Sequence, residues 1–123
     1  MTEKIFHIFT DGASSGNPGP AGIGVVIREG DVVIAEVSES IGSATNNIAE
    51  YKAVIAALKE AVARRAEKVI LHTDSELVFH QLTGGYKVKN ENLQALFEQV
   101  RQTAQGLKHL ELKCIPREKN SDA

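Results

Sequence analysis

Apolar residues fall along the chain in two rhythms. "KIFHIFT" (Lys4 to Thr10) is apolar at nearly every position and reads as a strand buried on both faces. Gly16, Asn17, Pro18, Gly19 and Pro20 then break the pattern, because proline removes a backbone donor and glycine permits positive φ. "AGIGVVIREG" and "DVVIAEVSES" flank the Gly30-Asp31 pair and predict an antiparallel hairpin, with a polar, turn-like outer end in "SIGSATNN". The rhythm next changes to steps of three and four. Ile48, Tyr51, Val54, Ile55, Leu58 and Val62 mark a helix through "IAEYKAVIAALKEAVARRA". Thr45, Asn46 or Asn47 can cap its start, and Arg64 and Arg65 suit its negative end. "KVILHTD" is another buried strand, and "SELVFHQLTGG" a short helix closed by Gly84 and Gly85. "NENLQALFEQVRQTAQG" is a third helix with Leu93, Leu96, Phe97 and Val100 on one face, and "HLELKCIP" alternates as a last strand.

The order β-β-β-α-β-α-α-β predicts an α/β domain. Tight turns make the first three strands antiparallel, while strands separated by helices join through crossovers and run parallel. The expected sheet is five-stranded and mixed, flanked by helices. At 123 residues the chain is one domain, and its 42% hydrophobic and 24% charged residues are ordinary for a soluble globular protein. A formal net charge of -2 offers nucleic acid no general attraction, so phosphate binding would need local donors and metal ions. The single cysteine, Cys114, rules out an internal disulfide framework. With no 18-residue apolar run and no signal-peptide pattern at the N-terminus, the expected setting is cytoplasmic, with no membrane partner.

Three carboxylates change the picture. Asp11 ends the first predicted strand, Asp74 ends the fourth, and Glu50 lies one turn into the first helix. If those strands are parallel neighbours, their C-terminal ends lie side by side, at the edge where α/β sheets usually carry their sites. Each acid has an ordinary explanation as well: a turn residue at Asp11, a helix cap at Asp74, a first-turn acid on the macrodipole at Glu50. Brought together, they would repel one another and raise each other's pKa unless a hard divalent cation joined them, and Mg²⁺ or Mn²⁺ prefers such oxygen ligands. The adjoining "GASSGNPG" lacks the Lys-Ser/Thr ending of a nucleotide-cradling P-loop.

"FTDGASSGNPGPAGIGVVI", "ATNNIAEYKAVIAAL", "VILHTDSELVFHQL" and "YKVKNENL" together resemble the type 1 ribonuclease H family, in the family's order and over nearly the whole chain. The resemblance implies a ribonuclease H-like fold over residues 1–123 and an endonuclease that cuts the RNA strand of RNA–DNA hybrids with two Mg²⁺ or Mn²⁺ ions. It makes Asp11, Glu50 and Asp74 the catalytic metal ligands, with the Gly12 backbone beside metal and substrate. Ser14, Ser15, Asn17, Asn46 and Asn47 fall where the family touches the hybrid's minor groove, and Thr45 and Asn90 where it binds a phosphate of the DNA strand. Small neutral donors and acceptors suit a groove read by shape and 2′-hydroxyls. The implied partner is the hybrid, bound by a monomer or by a domain of a larger, fused protein.

The chain departs from the family at three places. Between "FHQLTGG" and "YKVKN" there is no room for the extra helix and basic loop that grip the hybrid, which implies weaker binding or help from an attached domain. "PREKN" stands where the family often carries a histidine; Arg117 or Lys119 is the expected phosphate contact, and His7, His72, His80 and His109 are expected to be structural. The family's fourth carboxylate would directly follow Ala123, and the final helix is missing, as in a shortened form. Asp122 comes two positions early, about 200° around a helix, and takes no role, whereas the terminal carboxylate of Ala123 is the nearer substitute. The competing reading is a module that holds hybrids without cutting them. A nucleotide-binding regulatory domain is a third.

Overall fold

Alternation in the first strand, β1 (Ile5–Ser14), sends Phe6, Ile8 and Thr10 fully inward and turns Ile5, His7, Phe9 and Asp11 to the other face. This is seen in a computed structural model that describes residues 4–120. A loop leads to β2 (Gly19–Glu29), and a turn at Gly30 (φ 62°) and Asp31 leads to β3 (Val32–Ala44). Then come α1 (Asn46–Ala63), β4 (Lys68–Thr73), α2 (Glu76–Leu82), α3 (Glu91–Ala104), β5 (His109–Cys114) and a single 3₁₀ turn at Arg117–Lys119. The strands lie in the order β3-β2-β1-β4-β5, with β1–β2 and β2–β3 antiparallel and β1–β4 and β4–β5 parallel. The expected mixed sheet is therefore present.

The core lies between the sheet's inner face and the helices. Phe6, Ile8, Val25, Ile27, Val69 and Leu71 meet Tyr51, Val54 and Leu58 of α1. Leu93 and Val100 of α3 are buried there, while Leu96 and Phe97 are only partly covered. One polar bond crosses this core: the Tyr51 hydroxyl donates to Gln81 Oε1 at 2.5 Å, and burial pushes the phenol up to about 12. No helix among the described residues is long and apolar enough to cross a membrane.

Three local expectations are corrected. "SIGSATNN" is no turn: β3 runs on to Ala44 opposite Gly19, and Asn46 and Asn47 open α1. An edge strand exposes most of its side chains, so polar residues there carry no turn signal. Asp11 does not end β1, which loses β4 after Thr10 but keeps β2 as far as the Ser14–Ala21 pair. Asp74 is not the cap of α2, because Ser75 takes that place and its Oγ accepts from the Val78 N–H at 3.2 Å. Of the three candidate caps for α1, Thr45 is the one used, accepting from the Ile48 N–H at 3.2 Å. Asp122 and Ala123 lie outside the described residues.

Candidate active site

The β1–β4 pairing ends at Thr10 opposite Thr73, and each chain next places an acid, Asp11 and Asp74. Both stand on the outward-facing register of the sheet. Gly24 pairs with Asp11 from the other side and raises no side chain beside it. Glu50 reaches the same place from α1 because the helix crosses β1 at Gly12 with almost no gap. A Cβ on Gly12 would lie 2.3 Å from the Ala49 carbonyl carbon and 2.5 Å from the Glu50 nitrogen. The Gly12 N–H donates to Glu50 Oε1 at 3.1 Å and fixes that carboxyl. One oxygen from each of Asp11, Glu50 and Asp74 lies within 4.8 Å of the others.

Burial first, and the crowding of like charges after it, raise the pKa values of Glu50 and Asp11. Burial, opposed by the Gly12 N–H and reinforced by the charges of Asp11 and Asp74, pushes Glu50 up to about 8. Asp11 is raised too, by burial first and by Asp74 next, with the neighbouring Glu50 carboxyl and Arg117 opposing. The Asp74 side chain is only 3% exposed. Glu50 Oε2 and Asp74 Oδ1 are enclosed and have no hydrogen-bond partner among the described residues. Enclosed carboxylate oxygens without donors, beside a third carboxylate, fit a hard divalent cation.

Asn120 is the participant that sequence reasoning gave no role. Its Nδ2 donates to the Thr10 carbonyl at 2.9 Å and to Asp74 Oδ2 at 3.2 Å, tying the end of the described chain to both acid-bearing strands. Its one signal is that it opens the "NSDA" stretch matched to the family's terminal pattern. Arg117, 84% exposed, brings its Nε to 3.9 Å from Asp74 Oδ2, and Lys119 is exposed nearby.

The remaining candidates gather in a second group. The Ser14 N–H donates to Asn46 Oδ1 at 2.7 Å, and the Ser14 hydroxyl lies against both that oxygen and the Gly16 carbonyl. Asn17 Oδ1 accepts from the Asn46 N–H at 3.1 Å, so the β1–β2 loop is laced to the start of α1. Ser15 is exposed on this loop, its N–H donating to the Pro20 carbonyl at 2.8 Å. Asn17, Thr45, Asn47 and Asn90 line a pocket of about 160 Å³ together with Asn92 and Leu93. Asn90 also caps α3, accepting from the Asn92 and Leu93 N–H groups at 2.9 and 3.2 Å.

A mixed five-stranded sheet with three acids at the open end of its central parallel pair defines a ribonuclease H-like domain. The family described as reverse transcriptase-like matches residues 9–123, and the chain belongs to it, among the type 1 ribonucleases H. "Bifunctional protein Rv2228c" of Mycobacterium tuberculosis is 42% identical over 118 residues, 94% of this chain and 32% of that protein. The solved N-terminal RNase H domain of Rv2228c superposes with a TM-score of 0.93, covering 97% of this chain and 92% of that one. "Ribonuclease HI" of Halobacterium salinarum is 41% identical over 118 residues, 95% of this chain and 59% of that protein. LC11-RNase H1, solved in complex with RNA/DNA hybrid, is 40% identical with a TM-score of 0.90, covering 96% of this chain and 90% of that one. The chain thus spans about a third of the Mycobacterium protein and 59% of the Halobacterium protein.

Proposed function

We propose that residues 1–123 act as one domain, an endonuclease that hydrolyses the RNA strand of RNA–DNA hybrids with two divalent ions, Mg²⁺ or Mn²⁺. The observation that carries this is the meeting of Asp11, Glu50 and Asp74 within 4.8 Å beside a surface of serine and asparagine. In this reading those carboxylates hold the ions, whose chemistry is to activate water and stabilise the leaving 3′-oxygen. The Gly12 N–H holds Glu50 in place, and Asn120 does the same for Asp74. Ser14, Ser15, Asn17, Asn46 and Asn47 face the minor groove, where neutral polar groups can meet 2′-hydroxyls. Thr45 and Asn90 border the small pocket and would receive a phosphate of the DNA strand. The hybrid bound in the LC11-RNase H1 structure supports the substrate class. An exposed, unbridged Cys114 suits a reducing, cytoplasmic setting.

The test is cleavage of an end-labelled hybrid, with single-stranded RNA, double-stranded RNA and double-stranded DNA as controls. Hybrid alone should be cut, only with Mg²⁺ or Mn²⁺ present. Asp11→Asn, Glu50→Gln and Asp74→Asn should each lower the rate by at least about 100-fold while keeping the fold. Binding of hybrid without cleavage under every metal condition would instead make the domain a binding module.

A further inference from the structure

The sheet's outer face carries a pair of imidazoles that the proposed reaction does not use. His7 of β1 and His72 of β4 stand on neighbouring parallel strands, with His7 Nδ1 3.5 Å from His72 Nε2. The ring planes differ by only 22° and the centroids are 5.8 Å apart. After the 3.5 Å between nitrogens, that separation leaves about one ring radius on each side, so the imidazoles meet edge to edge. Phe9 lies flat on the His72 ring, at 4.4 Å and 8°, and holds it in place. His72 Nδ1 is enclosed without a hydrogen-bond partner among the described residues, which leaves Nε2 as the nitrogen open to a ligand.

We propose that His7 and His72 form a site for a borderline transition-metal ion such as Zn²⁺ or Ni²⁺. Two imidazole nitrogens about 2.05 Å from one tetrahedral ion lie roughly 3.4 Å apart. The observed 3.5 Å is already that spacing, and it is long for a direct hydrogen bond. Edge to edge, the two lone pairs point at each other, and a turn of roughly 35° by each ring would bring them onto one tetrahedral ion. Imidazole nitrogen selects Zn²⁺, Ni²⁺ or Cu²⁺ over Mg²⁺, so the pair and the three acids would divide metals by hardness. Glu111 of β5 pairs with Ile70, one step diagonally from His72, but no third His, Cys, Asp or Glu ligand atom gathers with the pair among the described residues, so water would complete the coordination. Lys113 opposite His72 and Arg28 opposite His7 add positive charge, which keeps the affinity below that of a closed structural site.

Zn²⁺ titrated calorimetrically into the Cys114→Ser protein in excess Mg²⁺ tests this, since Mg²⁺ saturates the hard site and the serine removes the exposed thiol. One equivalent should bind. His7→Gln and His72→Gln should each weaken it at least tenfold, and Glu50→Gln should leave it unchanged. In the unsubstituted protein, Zn²⁺ should move the imidazole ¹⁵N resonances of His7 and His72 but not those of His80 or His109, a readout independent of any variant's folding. Zn²⁺ binding that survives both histidine substitutions, that is lost in Glu50→Gln, or that leaves both resonances in place would overturn the assignment.

Discussion

Glu50 is the residue on which folding and the proposed metal binding oppose each other. Its pKa lies near 8 in the folded chain against an ordinary 4.5, so the folded state holds a proton that the unfolded state has given up. A raised carboxyl contributes no penalty below about pH 4.5 and a growing one up to about pH 8, because ionisation there is harder folded than unfolded. Asp11 shifts the same way. The metal-free protein should therefore lose roughly 2–4 kcal/mol of stability between pH 5 and pH 8. Glu50→Gln, whose amide oxygen can still accept from Gly12, should lose less and be the more stable protein at pH 8. Urea melts in EDTA at the two pH values decide this, and equal pH slopes in the two proteins would refute it. Divalent ions should flatten the wild-type slope by taking the proton's place. Asn120 acts one step further out. Asn120→Ala leaves Asp74 Oδ2 without its only side-chain donor within 3.5 Å among the described residues, and should lower metal affinity about 10- to 100-fold. A metal titration of the cleavage rate reads that loss directly.

At the scale of elements, the site depends on how closely α1 lies across β1. The Ala49 carbonyl carbon stands where a Gly12 Cβ would go, and it is backbone, which cannot rotate aside. Gly12→Ala should cost more than about 3 kcal/mol, beyond ordinary overpacking, and should remove Glu50 from the acid cluster even where the chain still folds. A variant with a wild-type melting temperature would mean that the helix can move off the strand. Most elements can be read from the sequence, because their apolar spacing is that of the structure. Ile48, Tyr51, Val54, Ile55, Leu58 and Val62 do mark α1, and Gly30-Asp31 does turn the hairpin. What escapes is whatever carries no apolar signal. Gly12, Ala13 and Ser14 extend β1 past its acid with side chains too small to show alternation. The last residues of β3 are polar because that strand is an edge. Asp11 and Asp74 can be placed from strand order alone, and Glu50 follows if α1 crosses that edge. Asn120 bonds to Thr10 across 110 residues, and no local pattern reports such a contact.

For the molecule as a whole, the proposed substrate sets an electrostatic problem, because a chain of net charge -2 would have to hold a polyanion. The described surface near the proposed groove offers few cations: exposed Lys87 and Lys89 before α3, Arg117 beside Asp74, and Lys119 in the same 3₁₀ turn. Tyr86, 52% exposed and packed against His80, presents an aromatic ring next to those lysines. The loop and α1 offer neutral groups instead. Two kinds of contact should therefore separate by their response to salt. Each phosphate neutralised by a lysine or arginine adds about 0.9 to the slope of log affinity against log salt, whereas a neutral minor-groove contact adds nothing. With about four such cations the slope for a hybrid should be shallow, near -3 to -4. Lys87→Ala and Lys89→Ala should each weaken binding and reduce the slope by about one. Asn17→Ala, Asn46→Ala and Asn47→Ala should raise KM for hybrid more than they lower kcat, with the slope unchanged. Asn46→Ala should be the most severe of the three, because Asn46 Oδ1 also holds Ser14 and so the loop itself. A steep slope that the lysine variants leave intact would place the main electrostatic grip elsewhere on the molecule. A fall in kcat with KM constant in the asparagine variants would move those residues from substrate binding into the chemical step.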